Sequence, residues 1–386
     1  MKRWLLNGVL LAVSLAACFG MAEGILRLID YTYPVFWTYD DDTASRLYPG
    51  AEGWFRTEGE AYIKINSAGF RDSEHSKAKT PNTMRVAILG DSMTEALEVP
   101  LKKNFSYILE QNLKRCKSLG NRNVEVLNFG VSGYGTAQEL LTFQRRVAAY
   151  SPDVTVLAFY AGNDVRNNSK ELEPNKLRPF FVLRDGKLVL DNGFLQTAEY
   201  QSFKSNFERR SRFFGLRTFQ LMRELKSVVD QWGEAHANGA SHSNLEAGAD
   251  DQIFLPPASP AWKDAWRVTE RLIVSLRDEV IGAGGRFVVL SIPIGIQVYP
   301  DPGVRDRFMR SLQLDSLWYP DLRMRAFAER EGVDVIILGQ AFQSYADANN
   351  TYLYGFRNTR LGTGHLNEAG HKLIAGSLAS HLCPAQ

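Results

Sequence analysis

The chain has 386 residues, 45% of them hydrophobic and 23% charged, with a formal net charge of +2. That is enough apolar chain for one large core carrying insertions. A balance so close to neutral lacks the clustered basic surface that nucleic-acid binding needs, and a local run such as "FERRSRFFGLR" (Phe207–Arg217) reads as a solvated amphipathic helix rather than a phosphate track.

At the amino terminus, Lys2 and Arg3 precede an almost uncharged run from Trp4 to Ala22. Its length is about that of one membrane span, and the two cations in front predict a cytoplasmic start with the body on the far side. Residues 1–31 therefore read as a membrane anchor, single-pass in a bacterial inner membrane, with a periplasmic body. A cleaved signal peptide is one alternative. A lipoprotein anchored at Cys18 is another, because "LAAC" (Leu15–Cys18) resembles a lipobox; all three export the protein.

Residues 32–83 form a connecting segment rich in Tyr, Trp and Gly that includes "INSAGFRD" (Ile65–Asp72). Packing is the default role for its aromatics, sugar binding the alternative. Five strand-like runs follow: Arg85–Leu89, Val124–Gly130, Asp153–Tyr160, Arg286–Ile294 and Val333–Leu338. Helical periodicity comes after each, for example Phe105, Ile108, Leu109, Leu113 and Cys116 on one face. The fold class is α/β, a doubly wound parallel sheet with right-handed crossovers, built from residues 84–164 and 260–386.

Residues 165–259 are too long for a loop and form an insertion. It contains "FFVLRDGKLVL" (Phe180–Leu190), whose Asp185-Gly186 between apolar runs signals a hairpin. A helical stretch from about Phe203 to Trp232 follows, and then a run poor in apolar residues, Gly233–Asp251, expected to be disordered. An insertion leaving the carboxyl edge of the sheet overhangs any pocket there, as a lid or as a brace.

The first strand stops at Gly90-Asp91-Ser92. Taken alone, this tripeptide is either turn chemistry or a nucleophile held at the sheet edge. Three more motifs fall at equivalent places: "NFGVSGYGT" (Asn128–Thr136) after the second strand, "YAGNDV" (Tyr160–Val165) after the third, and "GTGHLNEAGHKLIA" (Gly362–Ala375) before the last helix. In a doubly wound sheet all four converge on one rim.

These residues resemble the SGNH hydrolase superfamily, the GDSL esterases and lipases, over the whole sheet domain from Met84 to the end; the anchor, the "SAGFRD" segment and the "GHLN..GH" ending are similar to a bacterial membrane-attached group. The resemblance implies a flavodoxin-like sheet and acyl-ester chemistry, with Ser92 as nucleophile and His365 as base. The amides of Ser92 and Gly133 and the side chain of Asn163 then form the oxyanion hole. The chemistry is consistent: a serine hydroxyl needs a base within reach, and the developing oxyanion needs preorganised donors.

One position departs from the pattern. The family usually carries an aspartate three residues before the histidine, and here that residue is Gly362, followed by Thr363. Either a backbone carbonyl or a distant acid orients His365, or hydrolytic competence is lost.

His371 reads as a helix-packing or capping residue. His75, His236 and His242 lack partners at metal-ligand spacing, so no metal is expected. "GVSGYG" lacks the order of a dinucleotide loop, and no cofactor is expected. In a flavodoxin-like sheet the helix after the first strand and the last helix run side by side. Cys116 and Cys383 close them and are expected to pair in an oxidising compartment, the alternative being two partly buried thiols.

The function expected is that of an exported serine esterase acting on O-acyl groups of a cell-envelope polysaccharide or lipid. A polysaccharide O-acyltransferase and a non-catalytic carbohydrate-binding protein are the alternatives.

Overall fold

The computed structural model describes residues 2–237 and 250–383. Its centre is a five-stranded sheet of β1 (Thr83–Gly90), β2 (Asn123–Asn128), β3 (Val154–Tyr160), β4 (Arg286–Ile292) and β5 (Val335–Ile337). The spatial order is β2-β1-β3-β4-β5 and every pairing is parallel. β1 and β3 are buried at every residue, which is why their sequences run apolar without alternation. The chain crosses from one side of β1 to the other between β2 and β3, and the crevice at the carboxyl ends of the strands opens there.

Three strands are shorter than their apolar runs, β5 keeping only Val335–Ile337 of Val333–Leu338. β2 stops at Asn128 because that side chain turns back to accept from the Gly130 amide (2.9 Å), and β4 stops at Ile292 because Pro293 has no N–H for the ladder. The helix Pro260–Gly282 starts on a Ser259 cap, with Pro260 in its first turn, and lays Trp262, Trp266, Leu272, Ile273 and Leu276 into the main core. The last helix, Glu368–Leu382, is capped by Asn367 and packs beside the helix Phe105–Leu113. As expected, Cys116 and Cys383 are joined, with Cα atoms 6.0 Å apart. Cys116 lies just past the end of its helix, not on its last turn.

The connecting segment has more structure than its composition suggests. It forms two antiparallel hairpins, Trp37–Asp40 with Ala44–Leu47 and Glu52–Phe55 with Ala61–Lys64. A second small core of Phe36, Leu47, Ala61, Ile63, Ile65 and Leu97 holds them to the turn beyond Ser92. Arg71, fully buried, donates to the carbonyls of Glu95, Ala96 and Val99 in that same turn.

In the insertion, Asp185 (φ 50°) and Gly186 (φ 75°) make the tight turn between Phe180–Arg184 and Lys187–Asp191. The expected single helix is two, Ala198–Ser211 and Arg217–Ala237. The second begins where Glu23, on the amino-terminal helix, accepts from the amides of Arg217 (3.1 Å) and Thr218 (2.9 Å). A carboxylate at that position satisfies orphan N–H groups and opposes the helix dipole. Most of the run expected to be disordered, residues 238–249 with His242, lies outside the described residues. The amino-terminal helix, Lys2–Leu28, is long and apolar enough to cross a membrane, features a signal sequence shares.

Candidate active site

Asp91 ends β1 and caps the single helical turn Ser92–Glu95, its Oδ1 accepting from the Met93 amide (2.9 Å). Its Oδ2 accepts from Nδ2 of Asn163 (2.8 Å), which arrives from the end of β3. An amide nitrogen carries two protons, so one remains for the cleft. Gly133 arrives from the end of β2 with φ +77°, a backbone that side-chain-bearing residues rarely adopt. His365 precedes the last helix. Ser92, Gly133, Asn163 and His365 all line one cleft of about 400 Å³, together with Met93, Ser132, Tyr134 and Tyr160. Asp91 is therefore more than turn chemistry: it ties two of the four motifs together.

The acid absent from position 362 is supplied from the connecting segment. Oε2 of Glu58 lies 2.6 Å from Nδ1 of His365, and Oε1 accepts from the His365 amide at 2.9 Å. Sequence reasoning missed Glu58, which sits in the turn "RTEGEA" of a hairpin and looks like a solvated turn residue; the only signal was the missing local acid. Asn358 latches this turn into place, accepting from the Gly59 amide (3.0 Å) and donating to the carbonyls of Gly59 (2.9 Å) and Arg56 (3.2 Å). Two glycines make the arrangement possible. A Cβ on Gly364 would meet Glu58 Oε1 at 2.2 Å, and one on Gly362 would meet the Tyr299 ring at 2.2 Å. The space beside residue 362, where the sequence pattern led one to expect an acid, is thus filled by an aromatic ring, and the acid reaches the imidazole from the other end of the chain.

The electrostatics follow. Burial works against a charged His365, but the carboxylates of Glu98, Glu58 and Asp91 outweigh it and push the imidazole up to about 10. Burial likewise opposes ionisation of Glu58, yet its bond to His365 holds it below the ordinary carboxylate range. Glu98, 3.6 Å from Nδ1, and Asp91 are both raised by burial. Glu95 is pushed to about 8 by burial, and its Oε2 accepts from both the amide and the hydroxyl of Ser132, which fixes the loop that carries Gly133.

Glu58, Glu98 and His365 place one donor atom each within 4.8 Å of one another, a spacing that fits a cation. A metal there would have to displace the Nδ1 hydrogen bond to Glu58. His371, fully buried, stacks on Phe105 (centroids 5.8 Å, planes 17° apart) and is a packing residue. His75 pairs with Asp72 at 3.3 Å.

The insertion contributes its first residues to the cleft wall: Arg166, Asn167, Glu173, Asn175 and Arg178. Its hairpin packs instead on the helix Pro260–Gly282 and is not among the residues that line the cleft, so the overhang expected of the insertion comes from the stretch before the hairpin.

No family model matches the sequence, and no curated protein matches it significantly. Among solved structures, the chain is similar to the acetyl xylan esterase AlAXEase (15% identity, 78% of this chain and 100% of that one, TM-score 0.38). It is also similar to LAE5, an alpha/beta hydrolase from the metagenome of Lake Arreo, Spain (15%, 81% and 100%, 0.37). A third is Axe2, an acetylxylan esterase from Geobacillus stearothermophilus (12%, 78% and 95%, 0.37). Likenesses this distant leave the chemistry to be read from the chain's own side chains.

Proposed function

We propose that the protein is a serine hydrolase of the SGNH type that cleaves acyl esters outside the cytoplasm. The observation that carries this reading is the pairing of Glu58 with Nδ1 of His365 at the cleft that His365 and Ser92 both line. Ser92 Oγ attacks the ester carbonyl while His365 Nε2 takes its proton. The oxyanion forms against the amides of Ser92 and Gly133 and the spare proton of Asn163, each donor worth roughly 3 kcal/mol of barrier. The C–O bond to the alcohol then breaks, His365 returns the proton to the departing oxygen, and water repeats the sequence on the acyl-serine. An O-acyltransferase is the same machine with a sugar hydroxyl in place of water. Bonds from Arg27 to the Gly215 carbonyl and from Tyr31 to Glu224, beside those of Glu23, support an amino-terminal helix that is kept as the anchor.

A fluorophosphonate probe tests the reading. Wild-type protein is expected to be labelled, and Ser92→Ala to stay unlabelled. Labelling that survives Ser92→Ala removes Ser92 as nucleophile, and a wild type that never labels favours a non-catalytic saccharide-binding role.

A further inference from the structure

Two guanidinium groups line the cleft without a carboxylate in salt-bridge range among the described residues. Arg166 and Arg178 both line it, and the Nε of each is buried without a hydrogen-bond partner. Arg178 is a buried residue whose Nη2 donates to Gln138, and neither arginine forms an ion pair among the described residues. The one acid among the cleft-lining residues, Glu173, favours the charge of Arg178 from a distance, while its Oε1 accepts from the Asn175 amide (2.9 Å). Burial raises the carboxyls of Glu139 and Asp164 well above their ordinary range, and the charge of Arg178 pulls both the other way. Two like charges held together in a partly desolvated wall repel each other, a cost that a bound anion removes. A guanidinium is also the side chain whose planar fork fits an oxyanion with two parallel bonds.

The remaining lining narrows the ligand. Thr43, Ser45, Asn167 and Asn175 are short polar groups, and the apolar side chains beside them are Ala44, Met93, Tyr134 and Tyr160. Such a wall suits hydroxyls better than a lipid chain.

We propose that the acyl ester cleaved at Ser92 is carried on an acidic saccharide, whose carboxylate docks on Arg166 and Arg178. The inference deepens the esterase reading and rests on it for the word ester, while the anion site stands on the arginines alone.

Binding to full-length Ser92→Ala protein in detergent separates the two. Titrated calorimetrically, a trimer of galacturonate should bind about 10- to 100-fold more tightly than neutral xylotriose, the effect of a charge-assisted hydrogen bond. Arg166→Gln should abolish the preference, and Arg178→Lys, which keeps the charge in the buried position, should keep part of it. Raising the salt should shrink the preference in the Ser92→Ala protein. Equal affinity for the two trimers, or a preference that Arg166→Gln leaves intact, overturns the proposal. Tighter binding of a sugar phosphate than of galacturonate overturns the carboxylate assignment. A retained preference in a protein that never reacts with a fluorophosphonate would sink the esterase reading and leave the anion site standing.

Discussion

Glu58 and His365 lie 307 residues apart in the chain and share two contacts: Glu58 Oε2 with the imidazole Nδ1 at 2.6 Å, and Oε1 with the His365 amide at 2.9 Å. The first places the Nδ1 proton toward Glu58 and leaves Nε2 as the basic nitrogen, and the second fixes the backbone that carries the ring. Glu58→Gln is expected to lower kcat/KM by about 10²- to 10⁴-fold, the range for losing the acid of such a unit. The pH profile fixes the sign. A base must be neutral to act, and nearby carboxylates raise His365, so the rate of the wild type should climb with pH along a limb above the ordinary histidine range. Removing the Glu58 charge should move that limb to lower pH while the plateau falls. A plateau that drops with the limb unmoved would make Glu58 a packing residue only.

The two glycines around His365 give a test that leaves every titrating group in place. Gly364→Ala drives a methyl into Glu58 Oε1 and should cut activity by about 10²-fold or more, close to Glu58→Gln, while the left-handed backbone there (φ +80°) costs only about 1 kcal/mol of stability. Gly362→Asp, which puts an acid three residues before the histidine, should fail to rescue Glu58→Gln because the Tyr299 ring occupies the space. Rescue by that single change would mean the local acid position is open.

His371 should make the fold acid-sensitive. Its ring is buried against Phe105, and burial, with the charges of Arg71 and His365, lowers its pKa to about 3. Below the ordinary value of about 6.5 the unfolded chain takes up a proton that the folded protein refuses, so stability falls as the pH drops from there toward 3. The loss is roughly 1.4 kcal/mol per pH unit, or about 2 kcal/mol between pH 6.5 and 5. Urea midpoints of His371→Leu should be flatter than wild type across that interval, after an initial cost of about 1 kcal/mol at pH 8 for the imperfect refit. Parallel curves for the two proteins would show that the histidine is not the source.

The Cys116–Cys383 bond closes a loop of 267 residues and fastens the last helix to the helix after β1. Without reductant, alkylation of the denatured protein should modify one thiol, Cys18, and with reductant three. Replacing both paired cysteines with serine should cost about 2–5 kcal/mol of unfolding free energy. Modification of three thiols without reductant would show that the pair is not joined.

What the sequence determined by itself is local or periodic. The unbroken apolar runs of β1 and β3 mark strands buried on both faces, and their ends announce where Ser92 and Asn163 stand. The Asp185-Gly186 turn is legible because its backbone conformation admits few residues. Even the disulfide was accessible, since a parallel sheet order places two helices side by side. Tertiary structure alone decided which acid serves His365. Glu58 carries no mark in its own neighbourhood, because its role depends on a hairpin swung against the other end of the chain, on Asn358 holding that turn, and on two glycines clearing the approach. The same holds for Arg166 and Arg178: nothing in their own stretch of chain marks them, and only the packed cleft leaves the Nε of each buried without a hydrogen-bond partner. Secondary structure follows from near neighbours, whereas the pairing of one charge with another across three hundred residues is set by whichever surfaces the core brings together.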